Sequence, residues 1–248
     1  MASRQQTRHV LIVNQNVLDL YSCTFLIITY GMKILNIRLT GSLGYWLCML
    51  LLSENLLWCG VYGSFVNLTL IAVERYLKVV HPVWSKKNLR KWMIHVAIAF
   101  VWISSFVHQM AVAFESSAVL NGSCLGYVVW KNPVSGVAYG IFYFFAAYVV
   151  VLVIVIFCYG KILVTIRHQS RMLANHSFAS QAQTNKMQSN VIKTMILVCA
   201  FYAVAWLPEN IYFLLMSLNL PLTFLDAGYY SVLFIAFLYI CSNLTSSS

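Results

Sequence analysis

Charged side chains are scarce in this 248-residue chain, at 9% of all residues, and acids are the scarcest, with six Asp and Glu in total. Soluble domains carry roughly 25% charged residues. A soluble fold of this length would have too few charges to cover its exterior, because 61% of its residues are hydrophobic. The scarcity of charge therefore excludes an ordinary soluble domain and favours a protein whose solvent is the lipid bilayer.

Basic residues outnumber acids and give a formal net charge of +10. Nucleic-acid-binding domains gather such residues on one face or along one stripe. Here the basic residues stand between long apolar runs instead. The sequence therefore predicts no nucleic-acid partner.

Six apolar stretches are each long enough to cross the ~30 Å hydrocarbon core of a bilayer as a helix. They predict one transmembrane domain over residues 1–248, with spans at about 10–31, 45–78, 92–114, 137–166, 190–218 and 222–244. The first stretch is too long for a cleaved signal sequence and lacks a small-residue cleavage pattern. It is predicted to act as its own membrane anchor.

Thirteen of the sixteen Lys and Arg residues fall in the amino-terminal segment and in alternate connections between spans. The opposite connections hold three, which are Lys33, Arg38 and Lys131. Because basic residues accumulate on the cytoplasmic side, the amino terminus and the long loop at 165–190 are predicted to be cytoplasmic. The protein is thus expected to be a multi-pass membrane protein.

This orientation selects among four Asn-x-Ser/Thr sequons. Asn67 and Asn243 fall within membrane segments, and Asn175 falls on the cytoplasmic side. Only Asn121 is predicted to meet the glycosylation machinery.

Seven cysteines do not form the framework of a small secreted domain. Five fall inside spans and are interpreted as small buried apolar residues, namely Cys23, Cys59, Cys158, Cys199 and Cys241. Cys48 and Cys124 fall on the non-cytoplasmic side, where oxidation is permitted. A disulfide between them would join the start of the second span to the loop after the third.

Charge appears abruptly at the end of the second span, where Glu74-Arg75-Tyr76 is followed by His81-Pro82. This stretch resembles the Asp/Glu-Arg-Tyr motif of the rhodopsin-like (class A) G-protein-coupled receptors. Its position at the cytoplasmic end of a long helix, before a basic loop, strengthens the resemblance. The resemblance implies that Glu74, Arg75 and Tyr76 couple the receptor to a heterotrimeric G protein, with Val83 as an apolar plug.

Further matches follow in the order that the family has, from its second helix to its seventh. Asp19 and Ser64 resemble the pair that helps to bind sodium, and Trp102 resembles the fourth-helix tryptophan. Tyr159 resembles the fifth-helix tyrosine that swings toward the arginine. The remaining matches are Trp206 and Pro208 of the sixth-helix Trp-x-Pro switch, and the extracellular disulfide between Cys48 and Cys124. The resemblance implies an all-α rhodopsin-like bundle with six of the seven helices present, located in the plasma membrane.

The sequence also departs from the family pattern. Residues 4–9 resemble the first cytoplasmic loop, with no first helix before it, and Leu244 follows Asn243 where the family has proline. Val151 stands where the fifth helix usually has proline, and Cys48 lies further from Arg75 than is common. These departures suggest a receptor fragment, so a truncated and non-signalling product is one alternative function.

Two of the implied roles have simpler alternatives. Arg75 can pair with Glu74 or turn toward a partner, but an arginine at this depth can also snorkel to the interface. Asp19 lies mid-span, where a charge costs ~2.5–3.5 kcal/mol. It is expected to face an ion or a polar cavity, or else to be protonated and bonded to a neighbour.

Other classes of protein are weaker interpretations. The last lysine is Lys193, so no lysine in the last span can hold retinal, and no aspartate lies near Leu57 to bind an amine. No metal-ligand spacing or activated nucleophile suggests an enzyme. A six-span transporter or channel stays a formal alternative, but the sequence shows neither the repeats nor the interrupted helix pairs typical of that class.

The ligand is predicted from polar residues toward the extracellular side. Glu54 lies 21 residues before Arg75, which is roughly 30 Å along a helix. Glu209 follows Pro208 and shares a helix face with Trp206. Other candidate ligand contacts are Asn55, Leu57, Trp58, His108, Gln109, Asn210, Tyr212 and Phe213. With Asp19 and Asp226, the two glutamates make up four of the six acids, and none of the four is predicted to be cytoplasmic. This mixture favours a peptide with a basic or amidated end, although Glu209 could simply bond to a neighbouring helix.

Overall fold

A computed structural model describes residues 2–35, 38–126, 130, 132–174, 179–218, 228, 230–231 and 233–238. Side chains are described from Val10 onward, except those at 170–195, 198 and 202. Most of the predicted span at 222–244 lies outside these residues, as do Asn175, Asp226 and Asn243.

The described residues fold into a bundle of long helices. The helices are α1 (Ala2–Ile34), α2 (Gly41–Leu47), α3 (Asn55–Val80), α4 (Pro82–Asn88), α5 (Lys91–Ser116), α6 (Pro133–Tyr143), α7 (Val150–Ala174) and α8 (Ala179–Ser217). Within the described part of the chain, five segments are long and apolar enough to cross a membrane, at Val10–Ile34, Gly41–Val80, Lys91–Ser116, Pro133–Gln169 and Cys199–Ser217. The prediction of a helical membrane bundle is confirmed.

Apolar side chains cover the outside of the bundle as well as its core. On α5 they form an exposed stripe of Trp92, Val96, Phe100, Ile103 and Val107, whose spacing places them on one helix face. In a bilayer such a face needs no cover, because lipid tails are as apolar as the side chains. The helices satisfy their backbone polar groups internally, as a lipid environment requires.

The chain is interrupted before α3, where the sequence predicted one continuous span at 45–78. A π-helical turn at Cys48–Leu52 follows α2, and Glu54 then adopts a left-handed conformation with φ 61° and ψ 12°. The Glu54 N–H donates to Leu51 O at 2.8 Å. The wide turn and the break take up residues between Cys48 and Arg75, which accounts for their unusual separation.

A second wide turn interrupts the helix formed by α6 and α7. Residues Phe144–Val149 form a π-helical segment directly before α7. Val151 lies just after this segment, at the position where the family resemblance expects proline. The helix therefore departs from regular α geometry here without a proline.

A β-hairpin caps one end of the bundle, and the all-α prediction did not include it. Strands β1 (Ser117–Leu120) and β2 (Ser123–Gly126) pair antiparallel around Asn121 and Gly122. Both turn residues have positive φ, 52° and 79°, which the Asn-Gly pair favours in tight hairpins. Cys124 of β2 is bonded to Cys48, with 5.3 Å between their Cα atoms, so the hairpin is tied to the π-helical turn between α2 and α3.

Helix α3 lies at the centre of the bundle and packs against α1, α5 and α7. Gly60 permits the closest approach to α1, because a Cβ there would lie 2.6 Å from Tyr21 Cδ1. Gly63 does the same one turn later, since its Cβ would lie 2.9 Å from Leu18 Cδ2. Small residues at such contacts let membrane helices pack backbone to backbone.

Candidate functional site

Three helices bring a set of buried or partly buried polar side chains together at the middle of the bundle. We call this set the central network, and its members are Asn14, Gln15, Asp19, Ser64, Asn67 and Trp102. Each makes at least one hydrogen bond to another member. Polar side chains that bond across helices are expected at such depth, because the alternative partner is hydrocarbon.

Asn67 of α3 is the hub of the central network. Its Nδ2 donates to Gln15 Oε1 at 2.8 Å and to Leu11 O at 3.1 Å. Its Oδ1 accepts from Asn14 Nδ2 at 3.0 Å. Trp102 Nε1 of α5 donates to Asn14 Oδ1 at 3.0 Å. One asparagine on α3 thereby links to α1 directly and to α5 through Asn14.

Asp19 lies at the upper end of the central network. Its Oδ1 accepts from Ser64 Oγ at 2.8 Å and from Gln15 Nε2 at 3.1 Å, and Gln15 also contacts Ser64 Oγ. Asp19 Oδ2 is buried with no hydrogen-bond partner among the described residues. The expected Asp19–Ser64 pair is thus present. Asp19 Oδ2, which has no partner among the described residues, is the kind of oxygen ligand that a small hard cation prefers.

Glu54 is held firmly at the hairpin end of the bundle. Its Oε1 accepts from Lys33 Nζ at 2.5 Å and from Tyr30 OH at 3.1 Å, and its Oε2 accepts from Trp58 Nε1 at 3.2 Å. Lys33 also lies over the Tyr30 ring, 4.8 Å from its centroid. The predicted ligand carboxylate therefore already has a cation from α1, which offsets its charge.

A second polar set lies at the same end and is far less satisfied. We call it the outer cluster, formed by His108 and Gln109 of α5 with Glu209 and Asn210 of α8. Five buried atoms in it have no hydrogen-bond partner among the described residues, namely His108 Nδ1 and Nε2, Gln109 Oε1, Glu209 Oε2 and Asn210 Oδ1. The simpler interpretation of Glu209 is a bond to a neighbouring helix, and among the described residues Oε2 has no such partner. Buried polar atoms without partners are rare in proteins.

Aromatic rings connect the two sides of the outer cluster. His108 stacks on Tyr62 of α3, with centroids 4.5 Å apart, and lies 5.7 Å from Tyr139 of α6. Glu209 interacts electrostatically with Tyr139 and with Glu54. His108, Glu209 and Glu54 are therefore linked around one region of the bundle.

Trp206 lies buried directly below the outer cluster, one turn before Asn210, whose Nδ2 donates to Trp206 O at 2.8 Å. Its ring packs edge-on against Trp58 at 6.2 Å, Phe65 at 5.1 Å and Phe237 at 6.1 Å. Leu57 belongs to the same core. A change at the outer cluster would therefore reach Trp206 through direct contacts.

The remaining predicted residues of α8 lie near this core. Pro208 lies inside α8, where it removes one backbone hydrogen bond. Phe213 contacts Tyr143 at 5.3 Å and Tyr139 at 6.0 Å. Tyr212 packs at the edge of the Trp206 core.

At the opposite end of the bundle, Arg75 points inward rather than toward solvent, with its side chain 14% exposed. Its Nε lies 3.9 Å from Glu74 Oε2, and it interacts electrostatically with Tyr159 of α7. Lys78, one turn later on α3, also contacts the Glu74 carboxylate. Tyr159 in turn contacts Cys199 of α8. The arginine thus lies among α3, α7 and α8.

The segment after Arg75 forms an exposed surface. Tyr76 OH and His81 Nε2 lie 3.2 Å apart and share a hydrogen bond. Val83, on α4, is 80% exposed.

Sequence reasoning missed several residues that complete these sites. In the sequence, Lys33 is informative only about membrane orientation. Asn67 is marked only as a glycosylation sequon that falls within a membrane segment. Gln15 and Lys78 lie four residues before Asp19 and four after Glu74, and this helical spacing is the signal that finds them. Tyr30, Tyr62 and Tyr139 carry no motif.

Comparison with known proteins agrees with this architecture. Residues 1–244 match the family model described as 7 transmembrane receptor (rhodopsin family). The chain is 27% identical over 167 residues to the neuromedin-K receptor of Oryctolagus cuniculus, covering 64% of this chain and 33% of that protein. It is 28% identical over 212 residues to melanin-concentrating hormone receptor 1 of Mus musculus, covering 80% and 54% respectively. It is 25% identical over 150 residues to galanin receptor type 1 of Mus musculus, covering 60% and 41%.

The fold and the sites define a multi-pass helical membrane receptor. The chain belongs to the rhodopsin family of seven-transmembrane receptors. It spans between about a third and about half of the length of these curated relatives. The family consists of receptors, which are not enzymes.

Proposed function

We propose that the chain forms the helical bundle of a receptor that binds an extracellular peptide and transmits that binding to a heterotrimeric G protein. The observation that carries the proposal is the outer cluster, whose buried polar atoms lack partners within the described chain. Such atoms cost free energy unless a ligand completes them. The named relatives in the comparison are receptors for neuromedin K, melanin-concentrating hormone and galanin, which supports a peptide.

Glu54 and Glu209 indicate which end of a peptide would bind at the outer cluster. Glu54 already accepts from Lys33, whereas Glu209 is buried and its Oε2 has no partner in the described part of the chain. A basic or amidated peptide end can donate several hydrogen bonds to Glu209 and Asn210. His108 and Gln109 then bond the neighbouring polar groups of the ligand.

Contacts beneath the outer cluster provide a route by which ligand binding would affect Arg75. Ligand bonds at Asn210 act next to the backbone of Trp206, which packs against α3 through Phe65. Movement of α8 would change the contact of Cys199 with Tyr159, and with it the environment of Arg75. A released Arg75, beside the exposed Val83, is the group that then meets the G protein.

The orientation belongs to the same proposal, with the hairpin outside the cell and Arg75 in the cytoplasm. Asn121 lies at the exposed tip of the hairpin and is proposed to carry a glycan. Expression in glycosylating cells should give an endoglycosidase-sensitive mass shift that disappears in Asn121→Gln and persists in Asn175→Gln. A shift that depends on Asn175 would invert the orientation.

The coupling test uses Arg75. The chain should be expressed alone and fused to the first span and the final segment of melanin-concentrating hormone receptor 1. Arg75→Ala should abolish nucleotide exchange on the G protein while ligand binding persists. Arg167→Ala, which removes an exposed base from α7 instead, is the matched control. If nucleotide exchange on the G protein were unchanged in Arg75→Ala, Arg75 would serve only as an anchor at the membrane interface.

A sodium ion near Asp19 is a second part of the proposal, supported by the partnerless Asp19 Oδ2. Asp19 and Ser64 would hold it, and Gln15 Oε1 is within the same network. Sodium should raise the unfolding temperature of the purified protein above the value measured at the same concentration of potassium. Asp19→Asn should remove this difference between the two salts. Equal unfolding temperatures in both salts for the unaltered protein would refute the site.

A further inference from the structure

We propose that the junction between α4 and α5 binds an anionic phospholipid headgroup. The junction carries four basic residues within six positions, Lys86, Lys87, Arg90 and Lys91, which we call the junction patch. All four are exposed. The sequence contains no acid between Arg75 and Phe114, so the patch has no acidic neighbour along the chain.

The position of the patch relative to the bilayer follows from the stripe on α5. Trp92 is 58% exposed and begins the apolar stripe that continues through Val96 and Phe100. A tryptophan at the end of a lipid-facing stripe is typical of the membrane interface. Arg90 and Lys91 immediately precede Trp92, so they lie at the level of the headgroups rather than beneath the centre of the bundle.

The surface beside the patch offers room for a headgroup. A shallow depression of about 580 Å³ is lined by residues 80–84, Lys87 and Asn88. Trp84, on its rim, is 50% exposed. Lys87 therefore belongs to both the depression and the junction patch, with an exposed indole beside it for the interfacial region.

Charge complementarity identifies the occupant. Clusters of four or more Lys and Arg directly beside a spanning helix attract anionic lipids of the cytoplasmic leaflet. In the proposed orientation the patch faces that leaflet, so this inference rests on the proposed orientation. It does not rest on G-protein coupling or on an extracellular ligand. Phosphatidylserine and phosphoinositides are the lipids that carry the required charge.

The test is lipid binding to the purified full chain in neutral detergent, measured by native mass spectrometry. The probes are short-chain phosphatidylinositol bisphosphate, phosphatidylserine and phosphatidylcholine. Arg90→Gln/Lys91→Gln removes two charges of the patch, and Lys86→Gln/Lys87→Gln is a second, independent pair. Lys161→Gln/Arg167→Gln is the matched control, since it removes two exposed bases from α7.

We expect each patch pair to weaken binding of the anionic lipids about 10- to 30-fold, because each basic residue near the surface contributes roughly a factor of five. Binding of phosphatidylcholine should not change, and the control pair should change anionic binding less than about threefold. Equal losses in the patch and control pairs would overturn the proposal in favour of a diffuse charge effect. No loss in either patch pair would also overturn it.

Two further outcomes distinguish the lipid from other polyanions. Inositol trisphosphate, which lacks acyl chains, should compete at least tenfold less well than the corresponding lipid, because Trp92 and its stripe contribute apolar contact. Equal competition would assign the patch to a soluble polyanion instead. If the patch pairs weaken binding of purified G protein in lipid-free detergent as strongly as they weaken lipid binding, the patch is a protein interface and the lipid proposal fails.

Discussion

The central network and the outer cluster are two buried polar sets in the same bundle, and they differ in how fully the protein satisfies them. In the central network, Asn67 bonds through both ends of its amide, and one atom of the set, Asp19 Oδ2, has no partner in the described part of the chain. In the outer cluster five atoms have none. Both sets lie among helices that face lipid on their outer side.

The difference separates a structural role from a binding role. A satisfied polar network specifies how helices pack and adds to stability, whereas an unsatisfied one destabilises the fold. Functional sites commonly retain such a cost, because a ligand completes the missing bonds. The central network therefore holds α1, α3 and α5 in register, and we propose the outer cluster as the region that binds a ligand.

The largest expected effect comes from placing the same substitution in both sets. Asn67→Leu removes bonds to Gln15, Asn14 and the Leu11 carbonyl and should lower the free energy of unfolding by about 2–4 kcal/mol. Asn210→Leu removes one bond within α8 and one partnerless oxygen, and should cost less than about 1 kcal/mol. Unfolding by SDS titration in mixed micelles measures both. Equal losses would remove the distinction between the two sets.

The two outer glutamates give the next comparison. Glu54→Gln should lower the free energy of unfolding by about 1–2 kcal/mol, because it leaves the partly exposed Lys33 without its carboxylate. Glu209→Gln should raise it by about 1 kcal/mol, because it removes a buried carboxylate whose Oε2 has no partner in the described part of the chain. We predict that the same change, Glu to Gln, shifts the free energy of unfolding in opposite directions at these two positions. If Glu209→Gln destabilised the protein as much as Glu54→Gln, Glu209 would have a structural partner.

The smallest effect tests the packing that brings the central network together. Gly60→Ala should lower the free energy of unfolding by about 1 kcal/mol, since the added methyl group would overlap Tyr21 of α1. Gly160→Ala is the control: nothing lies within 4 Å of its Cβ position, so it should be neutral or stabilising by up to about 1 kcal/mol. Thermal unfolding in detergent measures the difference. A neutral Gly60→Ala would mean that α1 can shift away from α3 without loss.

Sequence reasoning located the helices and several of their contacts, because apolar periodicity and motif order survive without knowledge of packing. The Asp19–Ser64 bond and the Cys48–Cys124 disulfide follow from residues that the family motifs mark. The ion pair of Lys33 with Glu54 does not follow, because it depends on the left-handed break at Glu54, which no local pattern predicts. A continuous helix through Glu54 would point its carboxylate elsewhere.

The hairpin and the hub at Asn67 were missed for different reasons. Asn121-Gly122 between short apolar runs is a known hairpin signal, so the hairpin is predictable from the sequence. The role of Asn67 depends on how α1 and α3 rotate relative to each other, and one residue of rotation turns a side chain by about 100°. Tertiary packing decides that rotation, so the hydrogen bonds of Asn67 require the structure.

The central claim, that the outer cluster binds a cationic peptide end, is tested most directly by a binding cycle. A peptide found by screening the receptor should be compared with its analogue lacking the basic or amidated end, on the unaltered protein and on Glu209→Gln. We predict that the unaltered protein prefers the cationic peptide by at least about 30-fold, as for a buried charge pair. We predict that Glu209→Gln abolishes the preference, whereas Glu54→Gln reduces it only slightly. Activation by a neutral lipid, unaffected by both substitutions, would contradict the account.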